Sequence, residues 1–318
     1  MAEAFFFKPV FQERIWGGSK LHTYFGYDIP SDKTGEDWAI SAHPNGPSVI
    51  KNGEFSGKTL AEVWQSNPEL FGNPKEEVFP LLTKILDAND DLSVQVHPND
   101  AYAKTHENGE LGKTECWYVI DCEPGAELVY GHHAASQEEF ADWAKSGQWD
   151  KLLRKVAIKP GDFYYVPSGT IHAIGTGTLI LETQQSSDTT YRVYDYDRTD
   201  DNGNKRELHL DKAIAVTTAP HHDAKLAITT SDRDGVSVTT FVSNSFFSVH
   251  KWEVNGTASF EAEAPYTLVS IIAGSGRLEI GGTETAIQKG DHFLIPAPVK
   301  DWKISGELTA IVSNPPTK

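Results

Sequence analysis

One seven-residue frame occurs twice in this chain, as G-D-F-Y-Y-V-P at Gly161–Pro167 and as G-D-H-F-L-I-P at Gly290–Pro296. Each copy opens on a Gly-Asp turn pair, runs through apolar residues and stops at a proline. Turn, short strand and turn is the punctuation of a β protein, not of a helical one. Two copies imply two related β units. The first copy continues S-G-T-I-H, which presents His172 at the start of the next strand; the position matching it after Gly290 is Asp301. The expected fold is therefore mainly β, two barrels with a few helical insertions, and only the first barrel offers a histidine at this point.

A chain of 318 residues exceeds one average domain. We place the boundary in Thr217–Asp234, a stretch rich in Thr, Ala, Pro, Asp and His, giving units 1–225 and 226–318. Helical segments are expected near 59–71 and 136–155. Thr59 with Glu62, and Ser136 with Glu139, have capping-box spacing ahead of apolar residues at helical intervals. Glu13–Gly18 reads as a tight aromatic–glycine turn, and Trp16 and Trp38 as core. In the second unit, turn signals separate strands at Val236–Val242, Phe246–Trp252, Ala258–Phe260, Tyr266–Ala273, Gly276–Ile280, His292–Pro296 and Leu308–Asn314.

The net charge of -17 argues against a nucleic-acid partner, which needs a basic face. It does not exclude a small phosphorylated ligand, which needs only a few local cations. No apolar run is long enough to span a membrane, and the N-terminus lacks a basic leader. Cys116 and Cys122 share one strand, roughly 20 Å apart at strand rise, too far for a disulfide. Free thiols fit a cytoplasmic protein.

Strand alternation proposes a polar cluster. In Leu92–Pro98, Ser93, Gln95 and His97 share one face and the valines the other. In Lys113–Asp121, Lys113 and Glu115 share a face with Trp117 and Val119. Gln95, His97, Glu115 and His172 on inward faces form a plausible donor set for a divalent cation. Lys84 interrupts the apolar run Phe79–Ala88, which is either strand or helix; it either snorkels at the edge or sits at the rim of a pocket. Further on, Asp188, Thr190, Arg192 and Tyr194 share a face, unless Arg192 pairs with Asp188 or Asp195 outside the barrel. His106, His132 and His133 read as solvated.

At Gly161, Pro167, Gly169 and His172 the chain resembles the cupin superfamily, whose second motif has the form G-x5-P-x-G-x2-H. More narrowly, Q-V-H-P-N-D, G-K-T-E, P-S-G-T-I-H-A-I and Q-Q-S-S-D-T-T-Y-R-V-Y-D resemble, in order, the motifs of the type I mannose-6-phosphate isomerase (phosphomannose isomerase) family. The resemblance implies two cupin-like jelly-roll barrels. It implies one zinc per chain, other divalent metals being admissible, held by Gln95, His97, Glu115 and His172. It places the family's active-site arginine on Arg192, and pocket lysines that bind substrate and phosphate on Lys113 and Lys84. The implied reaction interconverts mannose 6-phosphate and fructose 6-phosphate through an enediolate, in a monomer or weak homodimer. Long members carry a large helical domain between the Glu motif and the second motif. This chain has only about twenty residues for helix there, as in the short bacterial form, so a pocket wall must come from elsewhere. Arg192 cannot act as a base, its pKa exceeding about 12. Lys113 either shuttles protons or holds charge, and the base itself is unassigned. A non-catalytic sugar-binding cupin and a metal-dependent oxygenase are the rival readings; the Gln95–His97 pairing and the Arg192 strand argue against the second.

Overall fold

In the computed structural model, residues 3–200 and 202–316 are described. They form three sheets. The middle sheet has six strands in the order Phe11–Gly18, Thr34–Ser41, Leu81–Ala88, Thr178–Gln185, Glu115–Cys122 and Phe163–Val166. A five-stranded sheet follows the order Tyr191–Tyr194, Val94–Val96, His172–Ile174, Glu127–His132 and Leu153–Ala157. Between these two lies a core containing Leu86, Trp117, Val119, Leu128, Ile174 and Ile180. The helices Gln137–Lys145 and Leu210–Val216 cover the outer face of the five-stranded sheet through Phe140 and Ala213. No helix among the described residues is long and apolar enough to cross a membrane.

The third sheet has eight strands and is mostly C-terminal. Its path runs Phe5–Phe6, His292–Ile295, Thr267–Ile280, Asp301–Asn314, Ser248–Glu261, Val236–Ser243 and Thr229–Arg233, with Thr283–Gln288 beside Thr267–Ile280. It curls over its own core of Trp252, Phe260, Ile271, Leu278, Ile304 and Leu308. On its other side, Phe247, Leu268, Leu294 and Ile311 pack against Leu81, Ile85, Cys116 and Leu181 of the middle sheet. The middle sheet is thus covered on both faces, and Leu81–Ala88 and Thr178–Gln185 are buried at every residue. That is why Phe79–Ala88 showed no period: both faces are interior, and the run is a strand.

The mainly β, cupin-like expectation holds, with local corrections. Pairs of predicted strands merge into the 14-residue strands Ser248–Glu261 and Thr267–Ile280, and the last strand begins at Asp301. Glycine lets them bend without ending. Gly274 has φ 75°, and a Cβ there would lie 2.1 Å from the Glu307 carbonyl oxygen. Glu13–Gly18 is the end of a strand, not a turn, and a short helix not expected from the sequence, Lys20–Phe25, follows it. The segment 136–155 ends its main helix at Lys145, turns at Gly147, and is already β from Leu153.

The repeated frame is a repeated structure. Gly161 and Gly290 have φ of 92° and 91°. Asp162 accepts from the Lys159 amide at 3.0 Å, and Asp291 from the Gln288 amide at 2.9 Å. Strands Phe163–Val166 and His292–Ile295 follow, and each closing turn is tied to the carbonyl of its proline, Thr170 to Pro167 and Val299 to Pro296.

Candidate metal centre and its cavity

The strand Val94–Val96 lies between His172–Ile174 and Tyr191–Tyr194, so His172 and Arg192 both register with Gln95. Glu115 opens the strand Glu115–Cys122 and registers with Gln184 and Val166. Topology thereby converges residues far apart in sequence. His97 Nε2 lies 3.4 Å from Glu115 Oε2, and His172 Nε2 lies 3.2 Å from Glu115 Oε1. One donor atom from each of His97, Glu115 and His172 falls within 4.8 Å of the others, and all three residues are buried. Gln95 joins them, its side-chain nitrogen 3.3 Å from His172 Nε2. Turning that amide over brings its oxygen to the same place.

The imidazoles are oriented from behind. His97 Nδ1 is 2.9 Å from the Thr189 carbonyl, and His172 Nδ1 is 2.9 Å from the Thr170 carbonyl. Each Nδ1–H donates outwards, which leaves an Nε2 lone pair facing the centre. Among the described residues, His97 Nε2 and both Glu115 oxygens are buried without a hydrogen-bond partner. Buried polar atoms are rarely left so. Burial holds His97 well below the usual histidine range, helped by Lys113 and opposed by the Thr189 carbonyl. Burial likewise pushes His172 down to about 4 against the Thr170 carbonyl. Burial raises Glu115 against the pull of Lys113 and Lys84. Two neutral imidazoles and a buried carboxylate, gathered within reach of one another, fit a divalent cation.

Beside this centre is a cavity of about 320 Å³ lined by Gln95, Lys113, Lys84, Glu182, Glu36 and Arg192, among others. A larger cavity of about 780 Å³ lies elsewhere and touches none of the predicted ligands. Lys84 is 3 % exposed, so it neither snorkels nor sits at a rim. It lies 3.9 Å from Glu36 and 4.0 Å from Glu182, with the Trp38 ring 4.6 Å away. Burial alone would raise Glu36, but Lys84, Arg14 and the Trp38 indole bring it down to about 2. Trp38 is buried as expected, yet it serves the cavity by donating to Glu36 at 2.6 Å. Glu182 accepts from the Trp117 indole at 2.9 Å and is raised by burial and by Glu115. Lys113 lies 3.3 Å from Glu115; burial would lower it, but Glu115 and Glu182 raise it further.

Arg192 does not pair with Asp188 or Asp195. Its side chain donates to Ser93 Oγ at 3.3 Å and to the Glu207 carbonyl at 2.8 Å. Burial, with Arg206 nearby, lowers its pKa. Asp188 and Thr190 line the cavity with it, but Tyr194 does not: the ladder slips between Arg192 and Tyr194, and Tyr194 stacks on Trp149 on the other side. His132 is buried, held by the Thr218 carbonyl, whereas His133 and His106 are exposed. Reading from the sequence missed Arg14, Glu36, Glu182 and Arg206. Arg14 and Arg206 both line the cavity.

Comparison with known proteins gives a consistent picture. Residues 5–121 match the family described as phosphomannose isomerase type I, catalytic domain, and residues 237–315 match mannose-6-phosphate isomerase, cupin domain. The chain is 53% identical to a probable mannose-6-phosphate isomerase, GmuF, of Bacillus subtilis, over 99% of this chain and 100% of that protein. It is 55% identical to the mannose-6-phosphate isomerase of Streptococcus mutans, over 99% of each. The crystal structure of the mannose 6-phosphate isomerase from Bacillus subtilis superposes with a TM-score of 0.96 at 53% identity, over 98% of this chain and 99% of that one.

Proposed function

The chain belongs to the type I phosphomannose isomerase family, and on that premise we propose that it interconverts mannose 6-phosphate and fructose 6-phosphate in the cavity beside His97, Glu115 and His172. The observation that supports this reading is the set of buried atoms on His97 and Glu115 that no hydrogen bond satisfies, beside a cavity lined by Arg14, Lys84, Lys113, Arg192 and Arg206. His97, Glu115, His172 and Gln95 would hold one zinc, which would supply Lewis acidity for negative charge developing on substrate oxygen during passage through an enediolate. Lys113 and Arg192 are the proposed catalytic cations. Both keep their protons near neutral pH and stabilise the negative charge that develops. Lys84, Lys113 and Arg192 bind and orient the phosphorylated substrate. For moving the carbon-bound proton the cavity offers Glu182: Trp117 occupies its Oε2, while Oε1 lies 4.0 Å from Lys84. We also propose that residues 1–225 form the catalytic unit and 226–318 a metal-free companion, in a cytoplasmic monomer or weak homodimer.

The deciding experiment adds mannose 6-phosphate, follows fructose 6-phosphate, and measures metal in the same sample. Turnover should require about one zinc per chain and vanish on chelation while the far-ultraviolet circular dichroism stays put. An active metal-free preparation would refute the zinc assignment, and a metal-loaded preparation without turnover would refute the isomerase.

A further inference from the structure

Glu115 is the first residue of its strand, and Lys113 lies just outside it. The ladder to Thr178–Gln185 ends at the pair Gln184 and Glu115. Strand ends fray, yet Lys113 must point into the cavity and Glu115 at the two histidines with the precision that positioning demands. Something beyond the ladder has to fix the segment Gly112–Thr114.

Its three successive amides are each taken. The Gly112 amide donates to Asp100 Oδ1 at 2.8 Å, the Lys113 amide to the Pro98 carbonyl at 3.0 Å, and the Thr114 amide to Gln185 Oε1 at 2.9 Å. Gln185 in turn donates through Nε2 to Asp100 Oδ1 at 2.9 Å, and its own amide donates to the Thr114 carbonyl. Gln185 is buried, and the backbone at Gly112 comes so close that a Cβ would lie 2.4 Å from the Asp100 nitrogen. The same knot reaches the histidines: the Ser168 amide donates to Thr114 Oγ1 at 3.3 Å, and the Gly169 amide to the His97 carbonyl at 2.9 Å.

We propose that Gln185 and Asp100 are positioning residues, a two-side-chain clamp that fixes the aim of Lys113 and Glu115 relative to His97 and His172. Neither touches the cavity's chemistry directly. The effect on turnover rests on the isomerase reading above; the effect on metal binding does not.

The clamp has a polarity, and that makes it testable. In Gln185→Ala the Thr114 amide loses its acceptor. In Gln185→Glu the new carboxylate faces Asp100, and Asp100→Ala removes the one oxygen that accepts from both Gly112 and Gln185. Asp100→Asn keeps an acceptor oxygen for both donors and is therefore the conservative control. Loss of a supporting partner behind metal ligands costs about 10- to 100-fold in affinity or activity. Cobalt(II) binding, read from visible absorption against a competing chelator, should therefore weaken about 10-fold or more in Gln185→Ala, Gln185→Glu and Asp100→Ala. kcat should fall by about 10- to 100-fold in the same variants, and Asp100→Asn should keep both within about threefold of wild type. Disruptive variants that match wild type, or an Asp100→Asn variant no better than Asp100→Ala, would overturn the proposal. If wild type binds cobalt but does not turn over, the isomerase reading fails and the clamp is still judged by affinity.

Discussion

At Gly161 and at Gly290 the chain turns through the same bonds, yet the interiors behind the two turns have little in common. Behind the first, the buried residues include His97, Glu115, His172, Lys84, Lys113 and Glu182; behind the second they are Trp252, Ile271, Leu278, Phe293, Ile304 and Leu308. His172 is buried, whereas Asp301, its counterpart, is exposed. The residue after each Gly-Asp pair reaches towards the opposite half of the molecule. Phe163 stacks on Phe241 at 4.4 Å, and His292 lies 2.9 Å from the Tyr27 hydroxyl and 3.9 Å from Asp37. The turn is thus scaffold, indifferent to what it encloses. The polar groups sit on the inward residues of the strands behind the first turn, and apolar packing fills the space behind the second.

The comparison is easiest to break at its centre. His172→Ala should abolish metal retention and lower turnover by about 10³-fold or more, since the Lewis acid is lost with its ligand; metal analysis and product formation check it together. Arg192→Ala should separate the two effects, keeping stoichiometric metal while kcat falls by about 10²- to 10³-fold. Full activity in that variant would remove Arg192 from the chemistry.

The contact between the middle and third sheets, Asp37 with His292, gives a pH-dependent effect on stability. Burial raises Asp37 to about 7, opposed by the Val10 amide, and burial lowers His292 to about 3, with Lys51 adding to it. Asp37 binds its proton more tightly folded than unfolded. Its contribution to stability is therefore present below about pH 4 and lost as pH rises towards 7. His292 acts in the opposite sense: its contribution is present above about pH 6.5 and lost as pH falls towards 3. Asp37→Asn should gain up to about 4 kcal/mol in denaturant unfolding at pH 8 and nothing at pH 4, exposing the histidine slope alone. Parallel curves for variant and wild type would exclude this role. The smallest effect is the mirror of the first: Asp301→Ala should change stability by no more than about 0.5 kcal/mol and leave metal and turnover untouched.

The clustering of Gln95, His97, Glu115 and His172 was legible because the alternation around Gln95 and Glu115 is clean, with valines opposite Gln95 and His97 and cysteine and tyrosine opposite Glu115 and Trp117, and because the turn after Pro167 delivers His172. Glu182 and Glu36 were not legible. They occupy strands buried on both faces, where a carboxylate in an apolar run carries no period to say which side it serves. Tyr194 was assigned to the wrong side because a bulge displaces the alternation by one, and nothing in Y-R-V-Y-D announces it. The long C-terminal strands were cut at their glycines, since a residue that permits a bend and one that ends a strand look alike in sequence.

The two-residue strand Phe5–Phe6 pairs with Leu294 and Phe293, so the outer edge of the C-terminal sheet is closed by the first described strand of the chain. A ribosome releases that strand long before its partner exists, and the edge cannot be capped until the rest has been made. Such a non-local closure slows folding and leaves an apolar edge open in the interval. Residues 226–318 expressed alone should consequently associate edge to edge, and supplying the N-terminal segment as a separate peptide should suppress that association.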